Sequence, residues 1–287
     1  MKLVTIAGLS TYFFTLALAA APSPTPSPTP TPSQAPSASP TPAIQSREEG
    51  DRLFRNRNNE ASARKALEIY KANYQAKPKD NENVWRYSVA LYHMGFKVEK
   101  DDKKKREYFT EGKKITEEAI QNDANCAACH FWHAIHSALE ANESSSVNLL
   151  VNINYVRRFA IRSTELDPTC TKAGGYRLLG QVEIGLPGIL GGSNRRAKEY
   201  FEKAIAAVPQ EPMNYWELAK HLDKNMDKPE EAIEVAKKGA VLAKPEAHDY
   251  ESLEAWNQLQ DFLKDKKVSL SNTPKPSPSP SVSAKTS

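Results

Sequence analysis

The residues best suited to chemistry lie in one short stretch, Cys126-Ala127-Ala128-Cys129-His130. Two thiols three apart followed by a histidine are what c-type haem attachment needs. The thiols add to the vinyl groups and the imidazole ligates the iron. His133, His136 or Met94 could supply a second ligand, which would make the chain a monohaem electron carrier. A metal site is another reading, because Cys126, Cys129, His133 and His136 follow one helical stripe. Thiolate and imidazole suit zinc or copper. Four ligands on one straight helix cannot surround a metal tetrahedrally, so further ligands would have to come from another element. Cys126 and Cys129 could instead close a local disulfide and leave Cys170 free. The plainest reading, thiols without a role inside a helix, weighs most, since a five-residue motif is matched cheaply by chance. No cofactor is expected.

Other catalytic patterns are missing. There is no nucleophile elbow, phosphate loop or HExxH motif. The glycines of Gly188–Ser193 follow a helical pattern instead of a strand, so they fit a turn and not a phosphate cradle. Glu230 and Glu231 sit at a helix start, where the positive dipole end favours them. An enzyme is not expected. Lys and Arg total 39 against 35 Asp and Glu in 287 residues. That near balance describes solvated surfaces of mixed sign and argues against a nucleic-acid partner.

The elements that must position any site are helical. From Gly175 to Pro209, Tyr176, Leu179, Gly180 and Val182 share one stripe. Ala197, Phe201 and Ala204 share another, and Pro209 stops the second helix. Gly180 and Ala197 let two helices approach while Phe201 fills the space beside them. Leu186–Gly192 enlarges the turn between them. Similar second-helix phrases recur at Ala66 and Tyr70, at Gly112, Thr116 and Ala119, at Ala160 and Ser163, and at Ala232, Ala236 and Gly239. Their stops fall at 78, 124, 168, 209 and 245. The run Lys97–Arg106 reads as a solvated insertion between helices. Asp249 is placed to cap a final helix through about Lys266, with Tyr250, Leu253, Trp256, Leu259 and Leu263 on its apolar stripe. The expected fold is all-α: a solenoid of about five irregular helical pairs with a C-terminal capping helix, over residues 46–268.

The flanks differ. Residues 1–20 carry Lys2, an apolar run and a small-x-small site at Ala17-Leu18-Ala19, the pattern of a cleaved secretory signal peptide. Residues 21–45 and 269–287 alternate proline with Ser, Thr and Ala. Such segments cannot bury a core, and they are expected to be disordered spacers. Membrane contact is expected only through the signal peptide.

The Leu, Gly, Ala, Phe, Ala and Pro order around Gly180 resembles the 34-residue tetratricopeptide signature. Together with Val84–Ala90, Tyr108–Ile120 and Ala127–Ile135, it makes the chain resemble exported bacterial tetratricopeptide proteins, including the TRAP-transporter-associated periplasmic ones. It is also similar to the regulator of microtubule dynamics family, although the export signal speaks against work on microtubules. In such repeats the concave face is lined by first-helix positions beside the packing seam. With Ser88, Ala134, Gly180 and Ala219 as the small seam residues, those three earlier are Trp85, Phe131, Arg177 and Trp216. Those one later are Val89, Ile135, Gln181 and Lys220. The three aromatics form either a binding groove or a buried core. The resemblance implies a non-catalytic protein-binding or assembly scaffold in the periplasm or cell envelope, accessory to a solute transport system. Its partner would be a protein such as a periplasmic solute-binding protein.

Overall fold

The computed structural model describes residues 46–144 and 146–268, the side chains of 144–151 excepted. The signal peptide, the proline-rich linker and the tail lie outside the described residues. No strand occurs among the described residues. The helices are α1 (Arg47–Arg55), α2 (Glu60–Ala76), α3 (Asn81–His93), α4 (Asp102–Asn122), α5 (Ala127–Ser144), α6 (Ser146–Leu166), α7 (Cys170–Gly185), α8 (Asn194–Ala207), α9 (Pro212–Asn225), α10 (Pro229–Ala240) and α11 (Tyr250–Asp265). They form five antiparallel pairs, α1/α2 to α9/α10, with α11 packed over α9 and α10.

Each start has a local cause. Ser46, Asn59, Asp80, Asp101 and Ser193 precede helices and accept a backbone N–H from the first turn, satisfying a donor that has no partner inside the helix. Pro212 and Pro229 occupy first-turn positions, where a missing N–H costs nothing. The repeat also ties its corners. Asn83 Nδ2 donates to the carbonyls of Asn73 (3.0 Å) and Lys77 (3.4 Å). Asn214 does the same to Ala204 (3.0 Å) and Val208 (3.0 Å). In both cases an asparagine near the start of one helix donates to carbonyls that end the previous one.

The seam lies where the small residues are. Ser88, Ala134 and Ala219 are fully buried, as is Gly180. A Cβ on Gly180 would come within 2.4 Å of Phe201 Cε1, so the phenyl ring occupies the space that the missing side chain leaves. The first pair repeats the device: a Cβ on Gly50 would come within 2.7 Å of Tyr70 Cε1.

Three expectations need correction. The Lys97–Arg106 stretch is not a loop throughout: a π-helical turn (Met94–Val98) extends α3, and Asp102–Arg106 already form the first turns of α4. The fifth pair ends at Ala240, before Pro245. Asp249 precedes α11 without a capping hydrogen bond. Its carboxylate is drawn instead to Lys172, because an ion pair to a charged amine outweighs a bond to a frayed backbone N–H. At the start of α7, Thr171, Lys172 and Ala173 all have left-handed backbone, φ 50°, 56° and 63°. Three such residues without glycine cost about 1–2 kcal/mol each, so the surrounding contacts must hold them there.

Candidate functional site

The superhelix closes on itself. Arg57, in the corner between α1 and α2, donates to Glu251 and to the carbonyl of His248 (3.3 Å) at the start of α11. Its guanidinium lies between the rings of Phe54 (4.8 Å) and Tyr250 (4.7 Å). Tyr250 Oη donates to the carbonyl of Arg55 at 3.1 Å. A second tie runs from Lys172, which pairs with Asp249 and reaches Ser252 Oγ at 2.9 Å. The first set joins the first pair to α11, and the second joins α7 to α11 across the concave face.

Between them lies a cavity of about 670 Å³, to which α1, α3, α5, α7, α9 and α11 all contribute. Seven of the eight predicted groove residues line it: Val89, Phe131, Ile135, Arg177, Gln181, Trp216 and Lys220. Phe131 and Ile135 are buried and form the floor, while Trp216 is half-buried in the wall. Trp85 does not line the cavity. It packs at the edge of the central apolar cluster, with the Arg86 guanidinium 4.3 Å from its ring centre. Tyr92 and His93 from the last turn of α3, with Phe96 and Lys97 from the π-helical turn that continues it, line the cavity.

Sequence reasoning also missed Trp132, Met213, Arg57 and Ala255. Tyr92 and Phe96 carried a usable signal, four apart and stacked at 5.3 Å. Ala255 sits on the helix read as a cap, and Arg57 on a turn, so neither had one.

The polar groups of the wall are mostly matched. Glu217 accepts from Gln181 and pairs with Lys220 at 2.8 Å. Glu211 is buried, accepts from Ser252 at 2.8 Å and lies 3.4 Å from Lys172. Arg177 differs. It donates to the carbonyls of Lys172 (2.5 Å) and Thr171 (3.3 Å) and to Asn214 Oδ1 (2.6 Å). These are the carbonyls that the left-handed turn points inward. Desolvation holds the Arg177 pKa below its ordinary value, against the pull of Glu211 and Glu217. His93 is likewise held below its ordinary value by burial and by Arg57, so it is neutral at pH 7.

The Cys126–His130 stretch is arranged for packing. Of the readings left open there, the structure has the local disulfide between Cys126 and Cys129, with Cys170 free. The sulfurs are bonded to each other and therefore unavailable for addition to haem vinyl groups or for ligation. His130 Nε2 is 3.0 Å from the carbonyl of Ala124, and its ring stacks on Phe159. His133 is buried between Thr116, the carbonyl of Lys113 and Tyr155 Oη (2.7 Å). His136 is buried against Ser88. Burial lowers the pKa of His133 to about 4 and of His136 to about 3. Each imidazole is thus committed as a neutral core hydrogen-bonder. Among the described residues, no group of three or more His, Cys, Asp or Glu is placed to hold a metal ion.

The regulator of microtubule dynamics protein 1-3 family profile matches residues 47–180, from the start of α1 into α7, so that stretch is similar to that family. Among solved structures, TTC0263, a thermophilic TPR protein of Thermus thermophilus, aligns with TM-score 0.57 at 12% identity. The alignment covers 76% of this chain and 100% of that one. The MamA protein from Desulfovibrio magneticus RS-1 aligns with TM-score 0.43 at 14% identity, covering 76% and 99% of the two chains. No curated protein matches this sequence. The fold is that of a tetratricopeptide-like protein.

Proposed function

We propose that this chain is a non-catalytic scaffold that binds a protein partner through its concave face. The observation that carries the reading is the convergence of Val89, Phe131, Ile135, Arg177, Gln181, Trp216 and Lys220, from four different first helices, on one cavity. Repeats of this kind are too small to bury their own faces. Stacking turns corresponding positions into one continuous surface, and function lies in what that surface displays.

The finer proposal concerns place and partner. The signal-peptide pattern of residues 1–20 supports export, and the proline-rich stretch that follows supports a domain held away from the membrane on a spacer. The resemblance to transporter-associated proteins supports a periplasmic solute-binding protein as the partner and an accessory part in solute uptake.

Trp216→Ala tests the scaffold reading. Trp216 is half-buried and meets Phe262 edge-on at 6.2 Å. Its truncation should therefore cost less than the 3–5 kcal/mol of a fully buried aromatic. The expected result is a variant that melts near the parent but captures less of its partner from a periplasmic extract. A variant that melts normally and captures the same partner in full would remove the concave face from the recognition surface.

A further inference from the structure

We infer that the cavity is a binding site for a compact organic monoanion, a carboxylate on an apolar body, anchored by Arg177. The inference rests on the concave face being the working face and adds a small-molecule ligand to it.

The argument begins with charge. Five cations and five carboxylates line the cavity. Lys172 pairs with Asp249 and Glu211, Lys220 with Glu217, and Arg57 with Glu251. Lys97 and Glu254 are exposed to solvent. Arg177 remains: a half-buried guanidinium in the wall with three oxygen acceptors, all of them neutral. Both Nη1 protons and one Nη2 proton are used by these bonds, which leaves Nε–H and one Nη2–H, two of the five donors. Arginine presents such a pair as a planar fork that fits the two oxygens of a carboxylate. Taking a charge out of water is costly unless it is matched. The depressed pKa of Arg177 agrees with a charge short of a counterion.

The rest of the wall says what the anion is attached to. Tyr92, Phe131, Trp132, Ile135, Leu178 and Trp216 are aromatic or aliphatic. The volume of about 670 Å³ lies within the 300–1,000 Å³ usual for small-molecule sites. A dianion fits worse than a monoanion, because Glu211 and Glu217 stand close enough to act on Arg177 and would repel a second charge. The left-handed turn gives the anchor its rigidity. Thr171 and Lys172 aim their carbonyls at Arg177, and the Lys172 side chain fixes the turn to α11. Strain of this kind clusters at ligand sites, where the surrounding structure holds it in place.

The test is isothermal titration of the full chain with three probes that share one body and differ in charge: 4-phenylbutyrate, 4-phenylbutanol and 4-phenylbutylamine. Octanoate and octanol repeat the comparison with an aliphatic body. At least one acid should bind, and its alcohol should bind at least tenfold more weakly. Arg177→Gln should shrink that ratio below threefold. Val89→Trp narrows the cavity from α3 at a residue that is not one of its polar groups, and it should weaken binding of acid and alcohol alike at least tenfold. Should Arg177→Gln fail to fold, the acid-to-alcohol ratio on the unaltered chain and the Val89→Trp result still decide. Equal binding of acid and alcohol, retention of the ratio in Arg177→Gln, or no binding of either acid at millimolar concentration would overturn the site. Partner capture is read separately on the same proteins. A captured partner with no acid binding removes only the anion site, and acid binding without a captured partner removes only the scaffold reading.

Discussion

Replacing Gly180 with alanine sets two known effects against each other at one atom. Gly180 lies within α7, where alanine should gain about 1 kcal/mol over glycine from helix propensity. The added Cβ, however, would lie 2.4 Å from Phe201 Cε1 and 2.6 Å from its Cζ, far inside van der Waals contact. Phe201 cannot retreat easily. It is fully buried, and the His221 ring stands 5.6 Å away centre to centre, edge-on to it. Overpacking of a filled core costs about 1–3 kcal/mol, so the net effect should be a loss of about 0–2 kcal/mol. In a chain of this size each kcal/mol moves the melting temperature by about 2–4 °C. The sharper assay is a double-mutant cycle with Phe201→Leu, followed by urea denaturation. With the ring gone, the clash is relieved and the propensity gain should emerge, giving a coupling of about 1–3 kcal/mol. Gly188→Ala, where nothing lies within 4 Å of the added Cβ, should stay within about 0.5 kcal/mol of the parent. The reasoning fails if Gly180→Ala stabilises the parent by the full propensity gain. It fails equally if the substitution has the same effect in both backgrounds.

Acid should weaken the fold earlier than carboxylate titration would. His133 and His136 are neutral when folded, with pKa values near 4 and 3, and return to about 6.5 on unfolding. Their contribution is complete above pH 6.5 and declines as pH falls below it, because only the unfolded chain takes up the proton. Between pH 7 and pH 5 each should cost about 2 kcal/mol. Denaturation midpoints at the two pH values check this, and His133→Gln should remove one histidine's share; an unchanged midpoint would refute it. Arg57→Ala should release the start of α11, since the lost bonds join it to the first pair and charged hydrogen bonds contribute about 1.5–3 kcal/mol. Hydrogen exchange at residues 250–254 should rise roughly tenfold or more, and unchanged protection would show that the ring closes without this clasp.

Much of this protein was legible because its repeats are built from local rules. Apolar periodicity, capping residues and stop signals depend on neighbours a few positions away, so the five pairs and the terminal helix could be read along the chain. The small seam residues Ser88, Ala134, Gly180 and Ala219 were legible for the same reason. A close approach needs a small residue whatever the partner, and register then carries the lining from helix to helix. Tertiary structure decided what the register could not. Trp85 lies off the lining while Tyr92 and Phe96 are on it, and Phe96 is carried there by a π-helical turn that a 3.6-residue period does not show. The left-handed turn at Thr171–Ala173 opposes local preference and is held by bonds to Arg177 and α11. Arg57 and Glu251 meet across 194 positions. That closure depends on the rotation from each pair to the next, a quantity that accumulates over the whole superhelix and is written in no single stretch of sequence.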